Sequence, residues 1–277
     1  MPTQQPDLPL ISVIMGVRYR RPDLSLLENA VASILCQTHS NLEFLICQND
    51  STPQAVARLI QFQQEDERVK LVDGTGADTL AEKLNRCIVH ARGDYIARQD
   101  DDDESLPERL AQQLAYLQAN PQVAFVGCSV QLRREGQPVG ERMLPPDPQV
   151  KDFMFVQPFI HPTLMFQRQA LKQVDGYCEA SFCDGCEDYD LLLRMYEAGC
   201  KGANLQQIYF CYTIPPKGTT NRTFHLRVNE MKTRWRRFRS LHLLPAALPY
   251  VIKPVVVGLI PVSLLEVIKE KTGRRGN

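Results

Sequence analysis

The sequence has no uncharged apolar run of the ~20 residues that a membrane-spanning helix requires. Its apolar C-terminal part, 241–268, is broken by Pro245, Pro249, Lys253, Pro254, Pro261 and Glu266, and the uncharged run 254–265 falls far short. There is no internal repeat and no low-complexity segment, which excludes solenoids and linker-type chains. The single C-x-x-C, Cys183 to Cys186 with Cys178 nearby, has no second pair at zinc-site spacing, which argues against a structural zinc centre. No glycine-rich phosphate loop follows the first apolar run. Residues 16–21 read Gly-Val-Arg-Tyr-Arg-Arg, which argues against an enzyme that makes sugar nucleotides. Net charge is also absent, with 32 Lys+Arg against 32 Asp+Glu.

What is present is ordinary in bulk and uneven in detail. Of the 277 residues, 44% are hydrophobic and 23% charged, enough for a large core without disulfides. Nine cysteines, an odd number, are scattered from Cys36 to Cys211, several in apolar runs where cysteine acts as a small hydrophobe. That usage, and a polar Met1–Pro9 segment without signal-peptide character, predict a reducing, cytoplasmic compartment. From Lys232 to Asn277 there are 10 Lys+Arg and 2 Asp+Glu, so the preceding part carries the compensating acidic excess. A basic, apolar tail on an acidic body points to an anionic surface. Two readings of the tail stand: a helix pair packed on the body, or an interfacial anchor through 232–275 at the inner face of the cytoplasmic membrane. Nucleic acid is not expected, because the acidic half carries no recognition motif.

Along the chain, apolar runs at 10–17, 42–47, 68–72 and 95–97 alternate with helical patterns at 24–35, 53–62 and 79–90. This alternation predicts βαβ units and an α/β fold with a mostly parallel central sheet flanked by helices. Gly93 is read as stopping the third helix. Further runs at 123–126, 159–166 and 205–212 read as strands, 136–149 as a loop, and 225–241 as a basic helix of a C-terminal helical tail. Ser105 with Glu108, and Asp184 with Glu187, read as capping patterns, and Gly199 as a helix stop.

Two acidic clusters carry the chemistry. Asp100, Asp101, Asp102, Asp103 and Glu104 follow a predicted strand, where ligands bind in open α/β sheets. A hard divalent cation, Mg²⁺ or Mn²⁺, would offset their mutual repulsion. Glu187 and Asp188 stand in the first turn of a predicted helix, where a carboxylate can serve as general base. Helix-dipole and solvation roles are the competing reading for both clusters.

Taken together, several stretches resemble family 2 glycosyltransferases, the inverting, GT-A-fold family that includes bacterial envelope-glycan enzymes. The stretches are ISVIMGV (11–17), AVASILCQTHSNLEFLIC (30–47), TLAEKLNRCIVHARGDYIARQDDDDESLPERL (79–110), HPTLMF (161–166), Gly176-Tyr177 and EDYDLLLRM (187–195). The resemblance covers about 11–215. It implies a catalytic domain over 1–215, with a nucleotide-sugar half at about 10–104, an acceptor half at about 105–215, and a C-terminal extension over 216–277. It implies transfer from a nucleotide-sugar donor, UDP-linked in the first instance, to a glycan or lipid-linked acceptor in cell-surface polysaccharide or glycolipid synthesis. The family's Asp-x-Asp motif falls on Asp100-Asp101-Asp102, which makes Asp102 the main metal ligand and gives Asp100 the metal or the ribose. The family's base falls on Asp188, with Glu187 beside it. The nucleotide would lie near Gly16, Val17, Asn49, Asp50, Asp100 and Asp101. One departure is Gln48-Asn49-Asp50-Ser51, where the family usually has an acidic pair, so an amide replaces the carboxylate that reads the base. That departure is also the support for a binding protein of the same fold without turnover. A second departure is the segment after Tyr212, TIPPKGTTNRTFH, where some members have a histidine as an extra metal ligand; His225 matches that position only poorly.

Overall fold

The computed structural model describes residues 8–216 and 223–260. The described strands are β1 (Ile11–Val17), β2 (Leu42–Gln48), β3 (Val69–Val72), β4 (Tyr95–Arg98), β5 (Glu104–Ser105), β6 (Val123–Arg134), β7 (Gln137–Arg142), β8 (Met165–Gln167) and β9 (Lys201–Thr213). The helices are α1 (Ser25–Leu35), α2 (Pro53–Glu65), α3 (Leu80–His90), α4 (Arg109–Ala119), α5 (Arg168–Gln173), α6 (Glu187–Glu197), α7 (Phe224–Ser240) and α8 (Leu248–Gly258).

One sheet runs in the order β3-β2-β1-β4-β8-β6-β9-β5, with β7 on β6. The β3-β2-β1-β4 half is parallel, and β8 enters antiparallel between β4 and β6. Helices cover both faces, so β1 is buried at every position. Alternation then sorts the side chains. Leu42, Phe44 and Ile46 of β2 face one core layer with α1 and α2, while Leu45 and Cys47 face the other with α3 and α6. One acid is enclosed in the sheet. Glu43 accepts from Ser12 Oγ at 2.7 Å, Lys70 Nζ at 2.9 Å and the Arg92 backbone at 2.7 Å.

The helix ends follow local chemistry in part. Thr79 and Glu82 form a capping box on α3. Gly199, at φ +81°, follows α6, as expected of a left-handed stop. Four expectations are corrected. Ser105 is not a helix cap: it belongs to β5, and its hydroxyl donates to Gln99 Oε1 and accepts from Arg109 in the buried interior. Asp184 does not cap α6, whose N-cap is Cys186. The segment read as a loop at 136–149 contains β7, which forms a hairpin on β6. The fourth concerns only the stop: the third helix ends at His90, as its spacing predicts, but its C-cap is Ala91 and Gly93 lies beyond it.

The tail helices pack on the body. Phe238, Ala247 and Val251 join the core layer of α3 and α6. Arg237 pairs with buried Asp190 of α6 at 2.7 Å. No helix among the described residues is long and apolar enough to cross a membrane.

Candidate active site

The site lies at the carboxyl ends of β1, β2 and β4. Parallel pairing brings Gly16 beside Cys47 and Val17 beside Gln48, and Gln99 N donates to Ile14 O at 3.1 Å. Gly16 has no room for a side chain, because a Cβ there would sit 2.8 Å from Leu80 Cδ1 and 3.1 Å from Lys83 Cβ of α3. Val17 is wholly buried, so its backbone rather than its side chain is what a ligand could meet. The Asn49 amide group donates to Ala77 O at 3.2 Å and to Asp78 Oδ1 at 3.1 Å. Its donors therefore hold the loop before α3. Asp50 stands at φ +61° on the surface and pairs with Arg18 at 2.7 Å and with Arg20. The Arg18 and Arg20 hydrogen bonds hold its carboxyl below the usual range.

The five consecutive acids separate into two groups. Asp103 turns inward and accepts from Thr213 N at 2.6 Å, while its Oδ2 is buried without a partner. Burial, with Asp100 and Asp102 nearby, pushes its carboxyl well up. Glu104 binds Arg133 at 2.7 Å. Asp100, Asp101 and Asp102 remain at the crevice. Asp100 Oδ1 accepts from the fully buried Arg98. Asp102 Oδ2 accepts from Arg21 at 3.1 Å. Burial, then the charges of Asp102 and Asp100, push Asp101 up to about 7.

Burial and Asp188 likewise push Glu187 up to about 7. Asp188 Oδ1 accepts from the Tyr189 backbone, and its Oδ2 accepts from Gln157 Nε2 at 2.8 Å. The two acidic clusters, far apart in sequence, act electrostatically on the same two tyrosines. Burial raises both hydroxyls most. Next, at Tyr177, come Arg98, which lowers it, and Asp188, Glu187 and Asp100, which raise it; at Tyr212 come Asp103, Asp100, Asp102 and Asp188, which all raise it. Beneath them His161 Nε2 and the Tyr177 hydroxyl share a 2.7 Å hydrogen bond. Burial, then Arg98, hold the imidazole neutral. His161 is thus a satisfied core histidine that braces the site.

The crevice carboxylates suit a hard divalent ion. They are oxygen donors, half-exposed, and Asp102 already attracts a cationic group in Arg21. One or two carboxylates completed by a substrate diphosphate is the usual way Mg²⁺ is held. His225 lies in the first turn of α7, where its ring nitrogen meets Asn229. Cys178, Cys183 and Asp190 place their ligand atoms within 4.8 Å of one another. However, Asp190 is engaged by Arg194 and Arg237, each at 2.7 Å, and Cys186 meets Thr233 at 3.3 Å. That set is a buried ion-pair network with thiols beside it.

Sequence reasoning missed Gln157, Arg98 and the pairing role of Arg21. Gln157 carries no local signal, since it lies in an irregular segment and reaches α6 only through the fold. A cavity of about 350 Å³ adjoins it, lined in part by Arg142, Met143, Phe155 and Val156.

Comparison with known proteins gives the family. The model of "Glycosyl transferase family 2" matches residues 12–176. This chain belongs to that family. It is 31% identical over 258 residues to EpsE of Bacillus subtilis (strain 168), covering 93% of this chain and 92% of that one. It is 33% identical over 218 residues to the O-antigen biosynthesis glycosyltransferase WbnJ of Escherichia coli, covering 76% and 82%. Among solved structures it resembles S. aureus TarS 1–349 in complex with UDP-GlcNAc, with TM-score 0.67, 15% identity, and coverage of 88% and 72%. It also resembles the mannosyltransferase PcManGT of Pyrobaculum calidifontis in complex with GDP-Man and Mn2+, with TM-score 0.61, 20% identity, and coverage of 95% and 80%. At these identities the structural likeness establishes the GT-A-type fold.

Proposed function

We propose that this family member is a metal-dependent, inverting glycosyltransferase that moves a sugar from a nucleotide-sugar donor to an acceptor hydroxyl in cell-surface polysaccharide or glycolipid synthesis. The observation that carries the reading is the placement of Asp100–Asp102 directly after β4, at the carboxyl end of the parallel half-sheet, with Asp102 and Asp188 both acting electrostatically on Tyr212. WbnJ, a relative of similar length, supports the polysaccharide context.

The backbone at Gly16 and Val17, with Asn49, Asp50 and Asp101, borders the nucleotide. Asp102, with Asp100, holds the divalent cation, Mn²⁺ or Mg²⁺. When bound, that cation supplies Lewis-acid neutralisation of the departing nucleoside diphosphate. Asp188 takes the proton of the acceptor hydroxyl, and Gln157 fixes which carboxylate oxygen faces it. Glu187, raised to about 7, keeps a second negative charge away from that base at lower pH. The acceptor oxygen attacks the anomeric carbon opposite the diphosphate, which inverts its configuration. UDP is the first donor nucleotide to test. The uracil N3–H needs an acceptor, and the Asn49 carbonyl is free to act as one while its amide group holds the loop.

A second reading, a binding protein without turnover, draws on the engagement of Asn49 by that loop and of Asp102 by Arg21. A panel of nucleotide sugars, assayed for binding and slow hydrolysis with Mn²⁺, Mg²⁺ and chelator, separates the two. Metal-dependent hydrolysis of one donor supports the transferase. Donor binding without hydrolysis or transfer to any glycan acceptor supports the binding protein.

A further inference from the structure

Helix α8 buries Val251 and Pro254 and leaves Leu248, Ile252, Val256 and Leu259 exposed at 37%, 49%, 51% and 71%. Steps of four, four and three residues put these four on one stripe of the helix. Phe224 extends the stripe. It is half exposed, and a Cβ on Gly258 would lie 3.3 Å from its ring. Phe155 widens it on the other side, with its ring 4.9 Å from that of Tyr250. On the neighbouring helix α7, Lys232, Trp235, Arg236 and Arg239 are exposed at helical spacing on one face. No Asp or Glu occurs anywhere in residues 231–260.

We propose that the exposed faces of α7 and α8 form a docking surface for an anionic lipid bilayer. The apolar stripe of α8 enters the boundary between headgroups and acyl chains, and the α7 cations meet the headgroup phosphates. Trp235 among arginines suits that interface. Charge decides between occupants. A second copy would bring the same basic face against itself, since a two-fold interface pairs a patch with its own image. The chain's own residues 261–277 carry Lys269, Lys271, Arg274 and Arg275 against Glu266 and Glu270, so they add positive charge rather than neutralise it. An anionic bilayer complements both the apolar and the basic part. The proposed contact is with the bilayer surface; no helix among the described residues is long and apolar enough to span it.

The surface also connects to the candidate site. Lys253 Nζ donates to Phe155 O at 3.3 Å, and Gln157, two residues on, donates to Asp188. Docking at α8 therefore sets the Phe155–Gln157 segment near the lipid. On the transfer reading this presents the base to an acceptor carried in the bilayer. The docking itself does not depend on that reading.

The test is co-sedimentation of the full chain with phosphatidylcholine vesicles, with and without phosphatidylglycerol as a third of the lipid, at low and high salt. The expected result is binding to the anionic vesicles, weakened by salt, with a blue shift of Trp235 fluorescence. The double variant Ile252→Glu/Val256→Glu should lose at least about tenfold in partitioning, and so should the charge variant Lys232→Glu/Arg236→Glu/Arg239→Glu. Both alter exposed positions, and unchanged near-UV circular dichroism and donor binding check the fold. Wild-type protein that stays in the supernatant with anionic vesicles overturns the inference. So does Ile252→Glu/Val256→Glu binding as tightly as wild type, or a dimer that this variant disrupts in the absence of vesicle binding. Donor hydrolysis is read separately, so loss of the transferase reading leaves the docking result intact.

Discussion

Arg21 and Asp102 are 81 residues apart, yet the guanidinium of the first donates to Oδ2 of the second at 3.1 Å. In the protein alone, a side chain cation thus sits on the carboxylate assigned to the metal. On the transferase reading, a divalent ion at Asp102 competes with Arg21 for this carboxylate, and a guanidinium released there would be available to an anionic donor. The pair is partly exposed and worth about 0.2–1 kcal/mol. Arg21→Ala should therefore tighten Mn²⁺ binding to the donor-free protein by up to about fivefold. The same variant should weaken binding of the nucleoside diphosphate. Asp102→Ala should abolish metal-dependent donor binding altogether. Calorimetric titration of Mn²⁺, then of UDP, distinguishes these outcomes, and unchanged Mn²⁺ affinity in Arg21→Ala would count against the assignment.

Asp188→Asn removes the proposed base and leaves one oxygen to accept either from Gln157 or from the Tyr189 backbone, while the new amide group can donate to a flipped Gln157. Turnover should fall by about 10²–10⁴ with donor binding largely intact, the range expected for loss of general base catalysis. Gln157→Ala should lower kcat more modestly and leave donor affinity unchanged, because it only orients the carboxylate. Near-normal transfer by Asp188→Asn, measured with the best donor from the panel, would show that another group takes the proton.

Much of this architecture is readable from the residues, for physical reasons. Continuous apolar runs such as 11–17 signal strands covered on both faces, and the helical spacing over 79–90 signals the helix that the structure has as α3. Ser105 misleads because its hydroxyl finds buried partners in Gln99 and Arg109, and a tertiary contact outweighs a local cap. β7 hides in a Pro- and Gly-rich segment because an edge strand needs only one paired neighbour and no apolar face. The positions of Asp102 and Asp188 are marked by motif, but their shared surroundings and their partners Arg21 and Gln157 depend on long-range pairing. The partition of the five acids is also invisible in sequence, where Asp103 looks the same as Asp102.

Glu43 offers a stability test remote from the chemistry. Burial alone would raise its pKa, but hydrogen bonds from the Arg92 backbone, Lys70, Ser12 and the Arg92 side chain hold it down at about 2. A depressed carboxyl contributes stability that is present above its unfolded value of 4.5 and lost as pH falls through about 2. Glu43→Gln removes that charge and leaves Ser12, Lys70 and the Arg92 amide less well matched. Since Lys70 and Arg92 reach solvent, the cost at neutral pH should be about 1–2 kcal/mol rather than the larger value of a fully enclosed pair. Urea denaturation at neutral pH and at about pH 3 checks it, and the difference between variant and wild type should shrink at the lower pH.

The site acids act in the opposite sense. Asp101 and Glu187, both raised to about 7, contribute stability that is complete below their ordinary values of 3.8 and 4.5 and is lost as pH rises through about 7. His161 opposes them only at lower pH. Its buried neutral ring costs stability as pH falls below its ordinary 6.5 and is silent above it. The window free of that opposition lies between about pH 6.5 and 8, where each acid's loss of stability falls from about 1 kcal/mol per pH unit toward zero, with the raised Asp103 carboxyl acting in the same direction. Thermal unfolding in chelator should show Tm falling by several degrees across that window. Added Mn²⁺ should flatten the decline, because a cation at Asp100–Asp102 favours the ionised carboxylates. A Tm that rises or stays level from pH 6.5 to 8 in chelator would mean that these carboxyls are already ionised in the folded protein. Mn²⁺ that leaves the slope unchanged would mean that the cation does not reach them.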